Sequence, residues 1–287
     1  MHFDLIVVVD WSAAASKGPK KPTADRCWIA WQNQSISSEA EYFPTRSACM
    51  KRLHALVSAC PGSALLAFDF PFGYPYGSGL KGGREAAKLI QQHLISNEDD
   101  TNNRFSAANV LNKQISASPG PFWGHPVSME FEQLTRKKPA FQHPFAEWRV
   151  CEKYLKDRGH PIMNVWQLYG QGSVGSQTLT GLHELIRFTE HKNIAKRARF
   201  WPFETHWDLK LDGIILAETW PSLSNHTAID HPIKDARQVL ACRNWITKTL
   251  KEKTLSAVLG APDLSQTELL RCEKEEGWIL GVGSEGL

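Results

Sequence analysis

Apolar residues open this chain in short dense runs, and two of those runs end on a carboxylate. Residues 4–10 (DLIVVVD) are apolar on successive positions and β-branched, the pattern of a strand buried on both faces. Residues 26–32 (RCWIAWQ) predict its hairpin partner and 39–43 a weaker third strand. The stripe Cys49, Leu53, Leu56 and Val57 predicts a helix over 46–59, with Thr45 placed to cap it. SALLAFDFP then predicts another buried strand, ending on Asp69 with Pro71 behind it.

From residue 73 to about 160 the pattern changes. GYPYGSGLKGG is loop, helices are expected at 83–95, 104–114 and 145–157, and SASPGPFWGHP is a stiff connection. This stretch reads as a largely helical insertion within one domain spanning 1–287. Beyond it, a helix is expected at 176–189, strands at 198–203 and 212–219, a long helix at 233–251 and a last strand at 277–282. Strands first and then alternating strands and helices imply an α/β fold, a mixed sheet flanked by helices.

Composition narrows the classes. The chain is 287 residues long, 42% hydrophobic and 22% charged, as expected of a chain that buries a sizeable core. A net charge of +3 admits an anionic partner without requiring one. No apolar stretch nears the roughly 20 residues of a membrane span, and no cleavable leader is evident, so a cytoplasmic location is expected. The six cysteines are scattered without C-x-x-C pairs, which favours free thiols over a disulfide framework or a zinc site. Several of the 11 tryptophans (Trp123, Trp201, Trp220, Trp278) adjoin Pro or Gly. They read as core packing or as the lining of a groove that stacks bases.

The candidate chemistry lies at strand ends. VVVD ends on Asp10, LAFD on Asp69 and IILAE on Glu218, while Asp235 falls in the first turn of the 233–251 helix. Each acid alone reads equally well as a turn or cap residue. Together, in the crevice at the ends of central strands, they would repel one another unless a hard divalent cation neutralised them. Ser12, Lys17, Lys20 and Lys21 follow Asp10 and could contact an anionic substrate, although a solvated hairpin loop explains the lysines too. The run Arg187, Lys192, Lys196, Arg197 and Arg199 could extend a basic surface, and His125, His143 and His231 could move protons. In GQGSVGS, Gly170, Gly172, Ser173, Gly175 and Ser176 precede a helix, a layout able to present backbone N–H groups to phosphate or to serve as an ordinary connection.

VVVDWS, AFDFPFGYP, AETWPS, IKDARQVLACRNWI and EEGWILGV follow in the order found in the DUF429 family of predicted ribonuclease H-like nucleases, which the chain resembles over nearly its whole length. The resemblance implies a ribonuclease H-like fold and phosphodiester hydrolysis of nucleic acid. Asp10, Asp69, Glu218 and Asp235 would then be catalytic and would hold Mg²⁺ or Mn²⁺, with Gly172, Ser173, Ser12 and the three lysines on the substrate. The alternatives are a non-catalytic nucleotide- or nucleic-acid-binding module and an actin-like or sugar-kinase-type ATP-binding protein. The last would need two such cores. A serine hydrolase is disfavoured by the lack of G-x-S-x-G, and a zinc hydrolase by the lack of H-E-x-x-H.

Overall fold

The computed structural model describes residues 2–207 and 210–284. Six strands form one mixed sheet: β1 (Leu5–Asp10), β2 (Cys27–Asn33), β3 (Glu41–Phe43), β4 (Ala64–Phe68), β5 (Ala198–Phe200) and β6 (Ile214–Glu218), ordered β3-β2-β1-β4-β6-β5. The first three run as an antiparallel meander, and β1, β4, β6 and β5 are parallel. All residues of β1, β4 and β6 are buried, which is why they read as unbroken apolar runs.

Alternation along these strands feeds two cores. Val7, Val9, Leu66, Phe68, Ile214 and Leu216 face one side, against α1 (Arg46–Ser58), α2 (Gly83–Gln91), α3 (Arg104–Ile115) and α5 (Val174–Glu190). Ile6, Val8, Leu65, Ala67, Ile215 and Ala217 face the other, against α4 (Val150–Lys156), α6 (Lys234–Lys251) and α7 (Leu255–Leu259). Thr45 caps α1, its hydroxyl accepting the Ala48 N–H at 3.2 Å. All six cysteines are free, and no described helix is long and apolar enough to cross a membrane.

Three expectations need correction. Residues 73–160 carry α2, α3 and α4, but 116–149 contain neither helix nor strand, so the stretch is less helical than its composition suggested. The expected helix at 145–157 starts only at Val150, because Glu147 is already engaged outside a helix: its carbonyl accepts the Trp166 indole N–H and its carboxylate the Asn164 amide. The expected strand at 277–282 does not form. Gly277, Gly281 and Gly283 all have positive φ, and the segment touches the sheet through a single bridge, Glu218 to Ile279. Just before it lie α8 (Gln266–Arg271) and a π-helical turn at Cys272–Glu276.

Candidate active site at the strand ends

Register decides which acids meet. Val9 pairs with Phe68, and the Asp69 N–H continues the ladder onto the Val9 carbonyl at 2.9 Å, so Asp10 and Asp69 lie side by side at the ends of neighbouring parallel strands. Both continue the series that faces α6 (Ile6, Val8; Leu65, Ala67). Asp235 comes to the same place from the first turn of α6, where the helix dipole favours a carboxylate. Its Oδ2 accepts the backbone N–H of Asp25 at 2.8 Å. Asp25 holds φ of 57°, and its carbonyl accepts the Ser12 hydroxyl at 2.9 Å.

The electrostatics are those of crowded acids. Burial, then the charges of Asp69 and Asp235, push the Asp10 carboxyl well above its ordinary range. Burial likewise raises Asp69 to about 7, with Glu218 and Asp235 adding to it and a hydrogen bond from Asp10 and the charge of Lys234 opposing. Asp235 is raised mainly by burial. Crowding and burial raise both carboxyls, so the pair holds a proton more readily than a free carboxylate does.

Glu218 is placed differently. It pairs with Phe68, one position before Asp69, so it continues the opposite series, Ile214 and Leu216. Both of its oxygens are taken by the buried Arg149 guanidinium, at 2.7 and 2.8 Å, and one also accepts the Phe72 N–H. Arg149 further binds Glu152 at 2.9 Å and the Glu276 carbonyl at 2.9 Å. The residue level with Asp69, just beyond β6, is Thr219, whose hydroxyl lies 3.5 Å from Cys242 Sγ on α6.

Two cavities flank these groups. One of about 520 Å³ is bordered by Asp69, Arg149, Glu218, Lys234, Trp220 and Ile162, among others. The second, of about 540 Å³, brings Ser12, Gly172 and Ser173 together with Asp25 and Arg26. Gln171, Gly172 and Gln177 border both. Lys17 instead borders a depression with Thr45, Lys51 and Glu98, and Lys20 and Lys21 are exposed. Of the basic run, Arg187 pairs with Glu184, Arg199 with Asp212, and Arg197 donates to the carbonyls of Pro61 and Gly62. His143 stacks on Phe145, His125 is buried against Phe131, and His231 lies edge-on to Trp28.

Sequence reasoning missed Arg149, Thr219 and Lys234. Lys234 had a signal, since it precedes Asp235; Arg149 had only the local Glu152 pairing, because its other partners are 69 and 127 residues away. Among the described residues, no three His, Cys, Asp or Glu side chains are grouped closely enough to form a ready-made metal cage. The fit to a cation is therefore that of a pair. Asp10 and Asp69 are adjacent and crowded, and among the described residues neither forms a salt bridge, which suits an ion such as Mg²⁺ that takes one or two carboxylates and fills its shell with water and phosphate oxygens. Glu218, fully engaged by Arg149, does not fit that role. Comparison with protein families, characterised proteins and solved structures finds no match to this chain.

Proposed function

We propose that the protein is a metal-dependent phosphodiester hydrolase built on a ribonuclease H-like sheet and related to the DUF429 family, acting on nucleic acid or nucleotides in the cytoplasm. The observation that carries this is the Asp10–Asp69 pair: two crowded carboxylates at the ends of neighbouring parallel strands, held level by the Val9–Phe68 register and the Asp69 N–H bond to the Val9 carbonyl, within the field of Asp235. Asp10 and Asp69 would hold Mg²⁺ or Mn²⁺, which when bound lowers the pKa of water and stabilises charge on phosphoryl oxygens. Asp235, held by the Asp25 N–H, would accept a proton from an attacking water. Lys234 opposes the negative charge on Asp69 and would face the phosphate.

A second reading has its own support. Because Glu218 is neutralised by Arg149, one of the four acids serves structure, as expected of a non-catalytic nucleotide-binding module. The ATPase alternative needs two sheets, and the described residues build one. The test is hydrolysis of bis(4-nitrophenyl) phosphate and of a single-stranded oligonucleotide with Mn²⁺ or Mg²⁺. Asp10→Asn and Asp69→Asn should each lower the rate at least about a hundredfold. Equal rates in wild type and both variants would end the hydrolase reading.

A further inference from the structure

The cavity of about 520 Å³ is lined by two chemically distinct sets of side chains. Asp69 and Lys234 are charged, while Trp220, Ile162, Met163 and Pro161 are apolar. Trp220 is half-buried and Met163 is 41% exposed, so each keeps part of its surface for the cavity, although Trp220 and Ile162 also pack on the core that faces α6. This contrasts with Trp201 and Trp278, both fully buried, with indole N–H groups donating to the Leu259 and Val282 carbonyls. Gln171, Gln177 and Ser222 add amide and hydroxyl groups to the lining. The Gln177 amide is held by the Trp11 carbonyl at 2.8 Å, which fixes the direction of its carboxamide.

We infer that this cavity binds one nucleotide unit, with the base against Trp220 and Met163 and the phosphate at Lys234 and the Asp10–Asp69 pair. Its volume suits a small ligand, for which pockets run from about 300 to 1,000 Å³. Flat rings stack on indole with little regard to which base they are, and the polarizable Met163 sulfur packs well on an aromatic ring. Pro161–Met163 and Gln171–Gly172 border the same space as Asp69, so a ligand here sits between those loops and the strand end. A space of this size takes one small ligand, and the occupant we infer is a free nucleotide. The phosphate end of this inference rests on the hydrolase reading; the base end rests on the Trp220 wall alone.

Calorimetric titration in Mg²⁺ with a purine nucleoside 5′-monophosphate, with ribose 5-phosphate and with a blunt 20-base-pair duplex tests it. The nucleotide should bind at least about tenfold more tightly than the sugar phosphate, and Trp220→Leu should remove most of that difference. Met163→Ala, at a position 41% exposed, should weaken the nucleotide a few-fold and leave ribose 5-phosphate and the urea midpoint unchanged. Equal affinity for nucleotide and sugar phosphate, no nucleotide binding at millimolar concentration, or displacement of the nucleotide by the duplex would each overturn the inference. Hydrolysis of bis(4-nitrophenyl) phosphate, measured in parallel, separates the two ideas. Nucleotide binding without hydrolysis ends the hydrolase reading and keeps the base site. Asp69-dependent hydrolysis with no effect of the base does the reverse.

Discussion

Replacing Asp69 by Asn should make the metal-free protein more stable at pH 8, although it removes a group proposed to be essential. The Asp69 carboxyl lies at about 7 in the folded protein against an ordinary 3.8, chiefly because burial penalises its charge. Between those values the folded chain holds a proton that the unfolded chain has released. Stability therefore falls as pH rises from about 4 and levels off above about 7. The difference of about 3 pKa units corresponds to about 4 kcal/mol as an upper bound. Asp69 is partly solvent-exposed and Asn gives up part of the polar contact with Asp10, so a net gain of about 1–3 kcal/mol is expected at pH 8. At pH 5 only about a third of the difference has developed, because the unfolded carboxyl ionises from about pH 4 upward, so the two proteins should lie within about 1 kcal/mol. Urea unfolding in EDTA at both pH values measures this. Added Mg²⁺ at pH 8 should then stabilise the wild type and leave Asp69→Asn unmoved. Parallel pH profiles for the two proteins, or an Asn variant less stable at pH 8, would refute the claim that uncompensated charge is stored at these strand ends.

Two further outcomes test the surroundings of the site. Arg149→Met leaves Glu218 and Glu152 buried without their cation, which should cost about 3–5 kcal/mol in urea unfolding at pH 8; a loss below about 1 kcal/mol would show that the pairing is dispensable. Gly181→Ala places a methyl group 2.4–2.6 Å from the Phe70 ring, next to Asp69, and despite a helix-propensity gain should lower stability by about 1–3 kcal/mol in thermal or urea unfolding.

Elements with a local signal were legible in the sequence. The unbroken apolar runs of β1, β4 and β6 have the pattern of doubly buried strands, and the carboxylates at or just beyond their ends are readable from the same runs. Thr45 marks the start of α1, and Ser265 with Glu268 spells a capping box for α8. The run GWILGV misled, because apolar content is shared by strands and by buried turns, and its glycines adopt left-handed backbone that cannot continue a ladder.

Register and long-range pairing were settled only by packing in three dimensions. IILAE and LAFD look alike, yet Glu218 aligns with Phe68 and not with Asp69, and a one-residue offset sends a side chain to the opposite face. That offset lets Arg149, 69 residues earlier in the chain, take both oxygens of Glu218, while the charge of Glu218 still acts on Asp69. The cavity with its Trp220 wall likewise joins segments between Asp69 and Ile279 that share no local pattern. Periodicity encodes which face a residue takes within its own strand; how neighbouring strands align is set by the packing of both cores at once.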